Sequence, residues 1–214
     1  MQVVSIAIAF YFVITEVSAR NIFSQSIFSF TVKPTLSISI PVSGTNSLVS
    51  GVAIGGASYG GFIGYNLNQH IKIMSGIESK IKSLQYNYSY NLEGSTFSDI
   101  STDEVHQIGI PVLAAYYLDS TNRHFFLIGG VSFDFFISGT RSLGREYLFA
   151  DLVGYSKTEF TVEIGGGYDF TLGNRTRLEF SLTYSYPVKN PYPEASMSSK
   201  ISSLRFGVGF TYLL

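Results

Sequence analysis

Residues 203–214 read Ser-Leu-Arg-Phe-Gly-Val-Gly-Phe-Thr-Tyr-Leu-Leu, with an apolar or aromatic side chain at every even position from Leu204 to Leu214. Successive side chains on a β-strand point to opposite faces, so this segment carries one apolar ribbon and one face of Ser203, Arg205, Gly207, Gly209 and Thr211. Such a ribbon suits the core of a soluble sheet as well as the outside of a membrane barrel. The remaining strands and the placement of charge decide between the two.

The same period recurs upstream. Phe28, Phe30, Val32, Leu36, Ile38, Ile40 and Val42 share one parity, with Pro34 marking the expected start of the strand. A Gly/Ser-rich stretch at 43–57 precedes a second strand at 59–67, and 66–70 reads as a tight turn. Ile71, Ile73, Ile77 and Ile81 oppose Lys72, Glu78, Lys80 and Lys82 in the third, which continues into a Tyr-rich run. A polar loop is expected over 91–103, and strand four alternates Ile108, Ile110, Val112, Ala114, Tyr116 and Leu118 with their neighbours. Strand five sets Phe125, Leu127, Val131, Phe133, Phe135 and Ile137 against His124, Gly130, Ser132 and Asp134, although Phe126, Ile128 and Phe136 share the polar side. After a connection over 138–145 come strand six around Phe160, Val162, Ile164, Tyr168 and Phe170, and strand seven around Leu178, Phe180, Leu182, Tyr184 and Tyr186. Residues 203–214 form the eighth.

The connections are long after strands one, three, five and seven, and short after two, four and six. Tight turns on one side and long loops on the other are the layout of an outer-membrane barrel, of which eight strands is the smallest size. Past the first nineteen residues, no stretch supplies the ~18 apolar residues of a spanning helix, whereas strands of about nine to eleven residues suffice when tilted. The expected fold is therefore all-β, an eight-stranded antiparallel up-and-down transmembrane β-barrel in the cell outer membrane.

With the more apolar parity outside, Lys33, Lys72, Glu78, Lys80, Lys82, Asp134, Glu163, Asp169, Arg177, Glu179 and Arg205 fall inside, six basic and five acidic. The outward faces carry no charge within their apolar stretches, as lipid requires, since Arg or Lys at the bilayer midplane costs ~2–4 kcal/mol. A soluble sandwich has the opposite preference. Side chains roughly fill an eight-stranded barrel, and buried charges need partners. Lys72, Glu78, Lys80, Lys82, Asp134, Glu163, Asp169, Arg177, Glu179 and Arg205 are thus expected to form an interior ion-pair network that closes the lumen.

Residues 1–19 hold an apolar run at 3–14 followed by Thr-Glu-Val-Ser-Ala, the pattern of a signal peptide cleaved after Ala19. Residues 20–33 then lead into a barrel domain over 34–214. Loss of Glu16 leaves 14 basic and 14 acidic residues from the original 14 and 15, so nothing favours nucleic acid as a partner. The chain has no Cys, hence no disulfide framework, and its three His lack the spacing of metal ligands, so neither metal nor cofactor is expected.

Pro111 calls for a bulge near Gly109-Ile110-Pro111, because proline removes one ladder donor. Gly129-Gly130 and Gly165-Gly166-Gly167 precede no helix pattern and read as sites of curvature or close packing. His70 and His124 fall at tight turns, and Asp103-Glu104-Val105-His106 is the one constellation with acid–base character, read first as a solvated rim. The clusters Tyr86-Tyr88-Tyr90 and Tyr184-Tyr186 suit an interfacial aromatic girdle.

Gln107-Ile108-Gly109-Ile110-Pro111-Val112, Leu127-Ile128-Gly129-Gly130-Val131 and Gly165-Gly166-Gly167-Tyr168 resemble the strands of PorT-like small outer-membrane barrels, related in architecture to OmpA and OmpX barrels. Arg205-x-Gly207-x-x-Phe210-x-Tyr212 is similar to the signal read by the barrel assembly machinery, which makes Gly207, Phe210 and Tyr212 the expected assembly signal. The resemblance implies outer-membrane residence, contact with lipid and with the assembly machinery, and envelope or secretion partners. The expected role is a non-enzymatic barrel with a plugged interior acting in envelope structure, adhesion or secretion. A rim-site hydrolase and a small porin-like channel are the alternatives.

Overall fold

A computed structural model describes residues 27–41, 49–52, 54–92, 95–118, 124–143, 146–151, 156–188 and 201–214. The expected leader at 1–19 lies outside them. The strands are β1 (Phe28–Pro41), β2 (Val49–Val52), β3 (Gly55–Asn66), β4 (Ile71–Leu92), β5 (Ser95–Tyr117), β6 (Phe125–Leu143), β7 (Glu146–Asp151), β8 (Thr158–Thr171), β9 (Thr176–Pro187) and β10 (Ile201–Leu213). All pairings are antiparallel, and β1-β3-β4-β5-β6-β8-β9-β10 closes on itself through β1–β10 and β4–β5. Closure pairs the backbone polar groups around the ring, which lipid cannot do for an open edge.

The parity rule sets the two faces. On β10, Leu204, Phe206, Phe210 and Tyr212 are exposed on the outer wall while Ser203, Arg205 and Thr211 are buried inside. β3 sends Tyr59, Ile63 and Tyr65 outward and Ser58 and Phe62 inward. The short-turn end is tied locally: Asn68 Oδ1 accepts from the backbone N–H groups of His70 and Ile71, both at 2.8 Å, which closes the β3–β4 turn.

Several expected boundaries move. β1 begins at Phe28 and runs through Pro34, so the strand starts inside the segment expected to be a lead-in. Proline is tolerated because the ladder to β10 carries no pairs at Lys33 and Pro34, while Pro34 still sits opposite Tyr59 of β3. Pro111 is accommodated in the same way, the β4–β5 register skipping from Ser75↔Val112 to Glu78↔Gly109. The bulge expected beside Pro111 lies instead between His106 and Gln107 on the β5–β6 ladder.

The expected loops at 91–103 and 138–145 are largely strand, and the stretch 43–57 contains β2 and the start of β3. β4, β5 and β6 have 22, 23 and 19 residues against 12 to 14 in β1, β3, β8, β9 and β10. At ~3.4 Å per residue β4 and β5 continue about 30 Å past the shorter strands of the barrel, and β6 about 20 Å. β2 pairs with the raised part of β4 and β7 with that of β6, giving a sheet that stands above the long-connection rim.

Candidate functional site

The lumen is where the sequence concentrates its charge, and it is organised in layers. In the middle layer Arg205 of β10 reaches across to three strands, β3, β4 and β8. Its Nη1 donates to Glu163 Oε1 at 2.9 Å and its Nη2 to Ser58 Oγ at 3.1 Å and to Glu78 Oε1. Lys80 Nζ donates to Asp134 Oδ1 at 2.7 Å and to Ser132 Oγ at 3.0 Å, and lies 3.5 Å from Glu78 and 3.8 Å from Glu163. Two cations thus hold three carboxylates from β4, β6 and β8.

Toward the long-connection end, Lys82 Nζ lies 3.1 Å from both oxygens of Glu159, and Gln107 Nε2 donates to Glu159 Oε2 at 2.9 Å. Toward the short-turn end, Lys33 Nζ meets Glu179 Oε1 at 2.7 Å, Arg177 lies 3.7 Å from Asp169, and Tyr117 Oη donates to Asp169 Oδ2 at 3.0 Å. Lys72 is buried at that end with the charges of Glu179 and Asp169 acting on it, without a direct ion pair among the described residues. Beside this polar lane, Met74, Leu113, Ala115, Tyr117, Phe126 and Ile128 form an apolar wedge from β4, β5 and β6.

Ten residues were expected in the network; nine of them make ion pairs here and Lys72 joins them only at longer range. Lys33 also belongs. Glu159 is the carboxylate that sequence reasoning missed: it continues the inward parity of Thr161 and Glu163 past Phe160, where strand six was expected to begin. With Glu159 included, six basic and six acidic groups occupy these layers.

Interior glycines supply the space. A Cβ at Gly207 would strike the Lys33 side chain, one at Gly64 the Lys72 chain, and one at Gly109 both Lys80 and Asp134. Gly165 and Gly167 lie hard against the backbone of β9, the close packing expected of that triplet. The assembly-signal residues separate by face, Phe210 and Tyr212 outward and Gly207 into the lumen. Gly207→Val is therefore expected to destabilise by about 1–3 kcal/mol through overpacking against Lys33. Urea titration in detergent micelles measures the effect, which Lys33→Ala in the same chain should reduce.

Among the described residues, a cavity of about 20 Å³ lies between Arg205, Glu163, Lys33, Phe62 and Leu113. That is room for one water and not for a permeating solute.

The histidines are placed on the surface of the barrel. His70 Nδ1 lies 2.9 Å from the Tyr117 carbonyl oxygen with its ring stacked on Tyr116, and His124 Nδ1 lies 2.8 Å from that of Asp169 with its ring stacked on Tyr168. The two form equivalent latches between neighbouring strand ends at the short-turn rim. The 103–106 constellation divides, Asp103 and Val105 being fully buried while Glu104 and His106 face outward with 3.0 Å between Oε1 and Nε2. No cluster of His, Asp and Glu suited to a metal occurs among the described residues. Of the expected girdle, Tyr184 lies on the outer wall, and the side chains of Tyr86, Tyr88 and Tyr90 lie outside the described ones.

Comparison with known proteins gives a family and a fold. The family model for the outer membrane protein beta-barrel domain matches residues 23–191. No curated protein matches the sequence. Neisserial surface protein A is similar in structure, with 12% identity and a TM-score of 0.50, covering 90% of this chain and 100% of that one. AlkL, at 13% identity and TM-score 0.46, covers 92% and 94%. Ail of Yersinia pestis, at 8% and 0.43, covers 86% and 99%.

Proposed function

Because the chain belongs to the outer membrane protein β-barrel domain family and resides in the outer membrane, we propose that it works from its outer surface and not through its lumen. The observation that carries this reading is the ion-paired interior, which leaves about 20 Å³ beside Arg205. The short-turn end then faces the periplasm and the raised sheet stands outside the cell. A barrel of this kind serves as a rigid pedestal. It holds β2, the upper parts of β4, β5 and β6, and β7 clear of the bilayer, where they meet partners in envelope structure, adhesion or secretion. The likeness to PorT-like barrels in the strands around Pro111 and Gly165 favours the secretion branch of that choice.

Planar-bilayer recording tests the closed lumen. The purified chain is expected to insert without producing discrete single-channel steps. Stable unitary currents in the wild-type protein would replace this reading with the channel.

A further inference from the structure

We infer that the outer wall carries a second site, a nucleophile–base–carboxylate set of Ser138, His106 and Glu104 built to cleave an ester-linked acyl chain of a membrane amphiphile. The inference rests on the outer-surface reading above and adds an activity that the non-enzymatic expectation did not include.

Strict alternation along β6 sends Phe133, Phe135 and Ile137 outward and would send Ser138 into the lumen. The β5–β6 register prevents this. Gln107 pairs with Phe136 and His106 with Ser138, so Ile137 is passed over and both Ile137 and Ser138 are exposed on the outer wall. A bulge of this kind re-aims a side chain and is over-represented beside active sites. It places Ser138 directly across from His106, a position whose Cβ atoms stand ~4.5–5.5 Å apart.

Glu104, two residues before His106 on the same face, holds His106 Nε2 at 3.0 Å, with side-chain exposures of 50% and 43%. One ring nitrogen is thereby oriented by a carboxylate, and the other is left for the proton of a hydroxyl nucleophile.

The position names the substrate. Ile108 on β5 and Phe135 and Ile137 on β6 end the unbroken apolar run of the outer wall, and His106 and Ser138 follow them directly. The set therefore sits on the first polar row above the apolar band, where the ester linkages of outer-leaflet amphiphiles lie beside the wall. In the reaction Ser138 Oγ adds to the ester carbonyl carbon as its proton passes to His106. The ester C–O bond breaks, the alcohol leaves with that proton, and an acyl-Ser138 ester remains. A water molecule, deprotonated by His106, then adds to the acyl carbon. The carboxylic acid departs and Ser138 regains its proton.

The test uses the full chain folded in detergent micelles, with heat-modifiable gel migration confirming the barrel in every variant. A fluorophosphonate probe is expected to label Ser138, located by peptide mass spectrometry. Hydrolysis of phospholipid vesicles and of long-chain p-nitrophenyl esters is expected to fall about 100-fold or more in Ser138→Ala and His106→Asn. Absence of labelling in folded wild type, or equal rates in wild type and Ser138→Ala, overturns the site. Cleavage of short soluble esters alone keeps the nucleophile and overturns the lipid assignment. Channel currents refute the closed lumen without touching either result.

Discussion

Replacing Arg205 with Ala is expected to cost about 3–5 kcal/mol, the largest effect of any single truncation within the lumen. Arg205 holds Glu163 at 2.9 Å and also pairs with Glu78, both of them almost wholly buried. Its loss leaves Glu78, Glu163 and Asp134 sharing Lys80 alone, in a space from which water is nearly excluded. The measurement is the urea midpoint for loss of heat-modifiable migration in detergent. Adding Glu78→Gln to the Arg205→Ala chain should return part of the loss, because one unpaired charge is then removed. Arg205→Lys should be intermediate, since an ammonium cannot span both carboxylates as the guanidinium fork does.

Ile164→Lys is expected to cost about 2–4 kcal/mol at the opposite side of the same wall. Ile164 lies in the middle of β8, paired with Gly129 on β6 and Tyr184 on β9, and its side chain is 64% exposed on the outer face. A lysine there has neither a partner nor water within easy reach, while Lys80 on the inner face carries the same charge beside Asp134 at 2.7 Å. Vesicle insertion yield and the urea midpoint read the effect. Ile164→Val, which keeps the face apolar, should leave both nearly unchanged.

The contrast between those two residues is the part of the fold that the sequence makes legible. Parity alone separates Ile164 from Glu163 and Leu204 from Arg205, because the outward face of these strands meets lipid and their charged side chains turn into the lumen. What parity loses is the point where a strand leaves the bilayer. At 91–103 and 138–145 the apolar ribbon ends but the ladder continues in β4, β5 and β6, so polar sequence there reads as loop. Glu159 was missed for a related reason, lying one step beyond the last outward aromatic of its strand. Pairings across the lumen, such as Arg205 with Glu78, follow from barrel closure once the faces are known. The approach of Ser138 to His106 does not, because it depends on a one-residue register shift between β5 and β6 that neither strand announces by itself.

The orientation of the wall is the claim on which the closed lumen, the pedestal and the outer site all depend. The chain has no Trp, so single substitutions along β10 report one position at a time. Trp placed at 204, 206, 208, 210 or 212 and refolded into vesicles with brominated acyl chains should be strongly quenched, and Trp at 203 or 211 should not. Equal quenching at both parities, or stronger quenching at the odd set, would contradict the orientation and with it the account of what this barrel keeps inside.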